Sequence, residues 1–163
     1  MPIVLVRVDD RFIHGQILEG WLPSTRAQEV LVANDDLAND SLQQMIMQAS
    51  MPYAIRLVVD CVDQIAALLV ASEDGDIRRM VIVDNPVDAL RLKRAGVHFE
   101  HLNLGNLRSG QSTTSLSRSV LVGDECLEVL CDIVEEGVRV NLQSVPFEKP
   151  VDLADVFSCC PKL

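Results

Sequence analysis

The chain is short of positive charge: 14 Lys and Arg stand against 24 Asp and Glu, a formal net charge of -10 over 163 residues. A protein that tracks a nucleic-acid backbone draws most of its affinity from neutralising phosphates, so this balance argues against nucleic acid as a partner. Long apolar runs are lacking too. The longest uninterrupted one, residues 65–71, falls far short of the roughly 20 residues that cross a bilayer. The opening MPIVLVRVDD carries no basic leader, and its apolar stretch ends in Asp9 and Asp10 rather than at a small-residue cleavage site. A soluble, cytoplasmic protein is the expectation. None of the five cysteines forms a C-x-x-C pair, which removes the ligand spacing of zinc ribbons and thioredoxin-like motifs. Cys126 and Cys131, inside apolar runs, read as small hydrophobes, and all the cysteines, including the adjacent Cys159 and Cys160, are expected to be reduced thiols. Neither G-x-G-x-x-G nor G-x-x-x-x-G-K-[ST] is present, so no dinucleotide or P-loop cradle is available, and no serine sits in G-x-S-x-G. Neither a cofactor nor a metal is expected. Asn39-Asp40-Ser41 matches a glycosylation sequon only by chance, given the missing leader.

What is present is 48% hydrophobic residues with 23% charged ones, enough for one core, and a length close to the roughly 150 residues of a single domain. We therefore expect one domain over 1–163. Short β-branched runs alternate with segments of helical period. Ile3-Val4-Leu5-Val6-Arg7-Val8 and Glu29-Val30-Leu31-Val32-Ala33 read as the first two strands, with further strands at 55–59, 80–84 and 99–104. The first, second and fourth are apolar on both faces, as strands covered on both sides are. Between strands, Val62, Ile65, Ala66 and Leu69 form one helical stripe and Ala38, Leu42, Met45 and Ile46 another. Leu127, Leu130, Cys131 and Val134 form a third, with Gly137 placed to end its helix. Val138, Val140 and Leu142 alternate with Arg139, Asn141 and Gln143, the pattern of a sheet edge. Residues 105–117, rich in Gly, Ser and Thr, read as a mobile loop. The pattern is that of an α/β fold: a single doubly wound, mainly parallel sheet with helices on both faces and a closing edge strand.

Such sheets bind ligands beyond the carboxyl ends of their parallel strands. There the loops supply Asp9-Asp10-Arg11-Phe12-Ile13-His14-Gly15-Gln16, then Asn34-Asp35-Asp36, Asp84-Asn85-Pro86 and Gly105-Asn106. His14 stands just before Gly15, where a helix carrying Ile17, Leu18 and Trp21 should begin, and a helix start offers free N–H groups and partial positive charge to phosphate. Arg11 can grip phosphoryl oxygens with its planar guanidinium, and histidine can act as a nucleophile. On residues alone, a phosphorylatable His14 stands beside the blander reading of a surface or acid/base histidine. His98 and His101, three apart on an expected strand, should point to opposite faces and share no metal. Asp9 and Asp10, adjacent at a strand end, should diverge.

The block Arg7-Val8-Asp9-Asp10-Arg11-Phe12-Ile13-His14-Gly15-Gln16-Ile17 resembles the active-site signature R-[IV]-D-[DE]-R-L-I-H-G-Q-V of the EIIB component of the mannose/fructose/sorbose-class sugar phosphotransferase system. Further blocks resemble that family in order along nearly the whole chain: Val32-Ala33-Asn34-Asp35 with Ala38-Asn39-Asp40, Asn85-Pro86 with Asp88, Ala95-Gly96-Val97, Asn103-Leu104-Gly105-Asn106, and Val145-Pro146. The resemblance implies a cytoplasmic phosphotransferase component. His14 would take a phosphoryl group at Nδ1 from a phosphohistidine on an EIIA partner and pass it to a sugar held by membrane EIIC and EIID subunits. Arg11 would neutralise the phosphoryl oxygens, Gly15 and Gln16 would supply backbone donors, Asn34 and Asp35 would border the site, and Asp10 would orient the loop. Phe12 replaces the family's usual Leu, and Asn106-Leu107-Arg108-Ser109-Gly110 departs from the usual G-M-H-F-x-x-G. Cys159-Cys160 has no counterpart in the family's pattern. A stand-alone regulatory phosphohistidine module and an inert small-molecule binder are the alternatives. The sequence leaves the sugar and any homo-oligomer open.

Overall fold

The computed structural model describes residues 2–72, 75–111 and 114–159. Strand β1, Ile3–Asp9, leads through a tight turn into a π-helical stretch, Gln16–Trp21, that runs directly into α1, Leu22–Thr25. There follow β2 (Glu29–Ala33), a 3-10 turn (Leu37–Asn39), α2 (Ser41–Ser50), β3 (Arg56–Asp60), α3 (Val62–Ala71), β4 (Arg79–Val83) and α4 (Pro86–Arg94). The second half comprises β5 (His101–Arg108), β6 (Thr114–Ser115), β7 (Val120–Val122), α5 (Asp124–Glu135), β8 (Arg139–Leu142), β9 (Val151–Asp152) and α6 (Leu153–Val156). The sheet runs β3-β2-β4-β1-β5, then branches: β8 pairs with the first half of β5 and β7 with its end. All of these pairs are parallel; β6 on β7 and β9 on β8 are antiparallel. The carboxyl ends of β1, β2, β4 and β5 therefore share one edge.

Alternation along the strands sends side chains to two cores. On one face Val6, Val8, Leu31, Val81 and Val83 meet α3, α4 and α5; Val62, Ile65, Ala66 and Leu69 of α3 are all buried there, as the stripe predicts. On the other face Val30, Val32, Met80 and Ile82 meet Ile17, Trp21, Leu22 and Met47. Gly137, at φ +84, ends α5 in a left-handed conformation that glycine adopts without a Cβ clash.

Several expectations are corrected. In α2 the residues facing the sheet are Met47 and, just beyond the helix, Met51, while Leu42, Met45 and Ile46 are 63%, 68% and 54% exposed. The helix has apolar residues on two edges, and packing on the sheet selects the one carrying Met47. In α5 the buried stripe is Leu127, Leu130 and Ile133; Val134 is exposed, and Cys131 is bonded to Cys159 rather than being a free thiol. The expected loop at 105–117 is largely strand: β5 continues through Arg108 because Leu107 and Arg108 find partners in Val120 and Leu121. Residues 112–113 of that stretch, and Cys160, lie outside the described residues. The closing strand β8 lies at the sheet edge as expected, its second half covered by the two-residue β9 through Asn141 and Leu142. His98 precedes β5 instead of lying on it, which lets His98 and His101 line one cleft with Glu100 at the amino edge of the sheet. Among the described residues, no helix is long and apolar enough to cross a membrane.

Candidate functional site

At the end of β1 the chain reverses within four residues. The Phe12 amide donates to the Asp9 carbonyl at 3.1 Å, and Phe12 takes φ +54, a conformation that non-glycine residues seldom adopt and that clusters at functional sites. The turn brings His14 back over Asp9. Its Nε2 lies 2.8 Å from Asp9 Oδ2, with the Asp9 side chain fully buried and that of His14 only 9% exposed. The expected divergence of the two acids holds. Asp9 points inward, while the exposed Asp10 accepts from the Arg108 amide at 2.9 Å and so ties the turn to the end of β5.

Asp9 is the hub. It accepts from Arg7 Nε (3.0 Å), Asn106 Nδ2 (3.0 Å) and the Arg11 amide (3.1 Å) besides His14. Burial works to raise its pKa, but the hydrogen bond from His14 and the charge of Arg7 outweigh it, holding the carboxyl below the usual aspartate range. An ionised carboxylate can only accept, so the His14 nitrogen facing it carries a proton, and in the neutral tautomer that satisfies this contact the lone pair lies on Nδ1. Arg7 is fully buried. Its guanidinium donates to Asn103 Oδ1, to the carbonyls of Gln143 and Ser144, and more weakly to Gln16 Oε1, and it lies 5.2 Å from the Trp21 ring centre. The room it needs comes from Gly105, where the β1–β5 register slips by one residue: a Cβ there would meet Arg7 Cζ at 1.9 Å. Burial lowers the Arg7 pKa, and the adjacent Asp9 opposes that shift.

Of the residues named from sequence, Arg11 has its guanidinium exposed and, among the described residues, without an ion-pair partner. Gly15 precedes the first helical turn, and Ile17 and Leu18 both donate to the His14 carbonyl, which seats His14 at the mouth of a π-helical segment, a rare conformation often seen at functional sites. Gln16 accepts from Asn106 Nδ2 at 2.9 Å and joins the network through its side chain. Asn34 and Asp35 lie farther along the edge, because β4 stands between β1 and β2 and two strand spacings are about 10 Å. Asn34 caps the following turn through the Leu37 amide, and Asp35 holds the Val62 amide and Arg91, a pairing that keeps its pKa low. Arg7, Asp9 and Asn106 were not singled out from sequence as site residues. For Arg7 and Asp9 the signal is charge at alternate positions near the end of the otherwise apolar strand β1; Asn106, on β5, carries no such signal.

The arrangement is an imidazole anchored through Nε2 on Asp9, beside the Arg11 guanidinium, which has no ion-pair partner among the described residues, and the start of a helix. That set can attack an electrophilic phosphorus and stabilise the anionic group it acquires. Comparisons with known proteins give the family of the chain. The chain is 28% identical over 156 residues to the PTS system fructose-specific EIIB component of Bacillus subtilis (strain 168), covering 96% of each. It is 28% identical over 159 residues to the PTS system mannose-specific EIIAB component of Escherichia coli (strain K12), covering 97% of this chain and 49% of that longer one. The crystal structure of the IIBSor domain of the sorbose permease from Klebsiella pneumoniae superposes with a TM-score of 0.88 at 26% identity, covering 95% of both chains. Residues 3–161 match the family described as PTS system sorbose subfamily IIB component, and the chain belongs to that family, the IIB phosphotransfer components of sugar phosphotransferase systems.

Proposed function

We propose that His14 is the phosphoryl carrier and that Nδ1 is the atom that carries the group. The observation that supports this best is the 2.8 Å contact of Nε2 with buried Asp9, which leaves Nδ1 alone free to react. Nδ1 attacks the phosphorus of a phosphohistidine on an EIIA partner; the donor P–N bond breaks as the new one forms. The positive charge that develops on the His14 ring is stabilised through Nε2–H by the Asp9 carboxylate. Arg11 and the amides of Gly15 and Gln16 surround the phosphoryl oxygens, so that catalysis is placement and charge stabilisation with no carbon chemistry. In the second half-reaction the group leaves Nδ1 for a sugar hydroxyl bound by membrane EIIC and EIID subunits. The EIIA partner is supported by the mannose-specific relative, whose name joins an A to a B component in one chain. The whole chain acts as one cytoplasmic phosphocarrier domain, and the family match favours this transport role over a stand-alone regulatory module.

The test is a reconstituted relay with an EIIA phosphodonor, read by intact-protein mass spectrometry. Wild type should gain one phosphate and lose it to sugar when vesicles carrying EIIC and EIID are added; His14→Ala should gain none. Phosphate gained by His14→Ala, or retained when sugar and membranes are present, contradicts the proposal.

A further inference from the structure

Residues 153–159 pack beside β8 and β9 and reach α5 through one covalent bond, between Cys131 on α5 and Cys159, whose Cα atoms are 5.3 Å apart. Leu153 is buried, Phe157 rests against the same core, and Asp152 caps the short α6 through the Ala154 amide. Grooves run along both sides. One, of about 410 Å³, is lined by Val134, Val138, Val140 and Phe157; the other, of about 470 Å³, reaches Leu127, Glu128 and Cys131. Both sulfur-bearing residues are half-buried beside these grooves, within reach of a small molecule. Cys126, earlier on the same helix, is a poorer reactant. Burial pushes its thiol pKa up, against a hydrogen bond to Ser109, and so reduces the thiolate that would attack.

We propose that Cys131 and Cys159 form a reversible thiol–disulfide site for low-molecular-weight disulfides of the glutathione class, and that oxidation straps residues 153–159 onto α5. The thiolate of one cysteine attacks the small disulfide, forms a mixed disulfide and releases one small thiolate. The thiolate of the second cysteine attacks the protein sulfur of that mixed disulfide and expels the other. Two protein thiols thereby lose two electrons and two protons, and one small disulfide becomes two small thiols. The bond closes a loop between residues separated by 28 positions, which narrows the freedom of the strap once it forms. The site sits on the α5 face of the sheet, whereas Trp21 and the residues packed under the His14 loop belong to the other core. Phosphoryl acceptance therefore continues in both redox states.

The test takes the full chain, reduces it with dithiothreitol, and equilibrates it with mixtures of reduced and oxidised glutathione before alkylation and peptide mapping. The Cys131–Cys159 cross-link should grow with the oxidised fraction and vanish when reductant returns, while Cys61 and Cys126 stay open to alkylation. Cys160→Ser should keep the cross-link and Cys159→Ser should lose it. Amides of residues 153–159 should exchange roughly tenfold or more slowly in the oxidised form, with Cys131→Ser matching the reduced protein; if that variant does not fold, Cys159→Ser serves as the same reference. A cross-link through Cys160 or Cys126, one unchanged at every glutathione ratio, or equal exchange in both forms overturns the proposal.

Discussion

His14 Nε2 and the buried Asp9 carboxylate stand 2.8 Å apart, the contact on which the proposed role of Nδ1 rests. The same carboxylate balances fully buried Arg7. Because the Asp9 pKa in the folded chain lies below that of an unfolded aspartate, about 3.9, its contribution to stability is present above that value and is lost as pH falls through the folded value. Asp9→Asn should remove this acid-side dependence. It should also cost about 3–5 kcal/mol at neutral pH, since Arg7 is left buried beside a neutral amide. Urea unfolding from roughly pH 2 to 7 checks both. A variant as stable as wild type, with the same acid profile, would show that Asp9 does not hold Arg7.

The close passage of Arg7 over Gly105 gives a second expectation. Gly105→Ala should displace the guanidinium from its partners and destabilise the fold by about 2–4 kcal/mol, within the range for disrupting a buried network. In an Arg7→Ala background the obstruction is gone, and the same glycine substitution should cost less than about 1 kcal/mol. Additive losses in the double-mutant cycle would mean that the backbone, not Arg7, requires glycine.

How far the sequence could be read depended on the range of the contacts. The strand at Glu29–Ala33 and the stripe of α3 are local patterns, and both stand as expected. The contact of His14 with Asp9 joins residues of one contiguous block, so both partners lie within the motif that the sequence shows. The Arg7 network was not legible, since its partners Asn103, Gln143 and Ser144 arrive from 96, 136 and 137 residues away by way of strand order. Strand order likewise sets Asn34 two strands from β1 although its block follows directly in sequence. In α2 the helical period was correct and the buried edge was not, because two apolar edges satisfy the same period and only the sheet chooses between them.

That choice is testable. With Leu42 and Ile46 facing solvent, Leu42→Gln and Ile46→Gln should each change stability by less than about 0.5 kcal/mol, whereas Met47→Ala, on the buried edge, should cost about 2 kcal/mol or more. Thermal or urea unfolding decides it; a large loss from either glutamine variant would place the outer edge in a packed interface.

Arg11 should separate rate from stability. Its exposed guanidinium has no ion-pair partner among the described residues, so Arg11→Ala should stay within about 0.5 kcal/mol of wild type while slowing phosphoryl acceptance by roughly tenfold to a hundredfold. Arg11→Lys should fall between the two, because lysine keeps the charge without the two-donor fork. Rapid-quench transfer kinetics with an EIIA donor measure this; wild-type rates in Arg11→Ala would remove Arg11 from the phosphoryl site.

The central claim, that Nδ1 of His14 carries the phosphoryl group while Nε2–H stays on Asp9, is tested most directly by nitrogen-15 and phosphorus NMR of the phosphorylated full chain. The account predicts a single phosphohistidine substituted at Nδ1, acid-labile and alkali-stable as a P–N bond is, absent from His14→Ala and present in His98→Ala and His101→Ala. Phosphate at Nε2, on another histidine, or in an acid-stable linkage to a serine or threonine would contradict it.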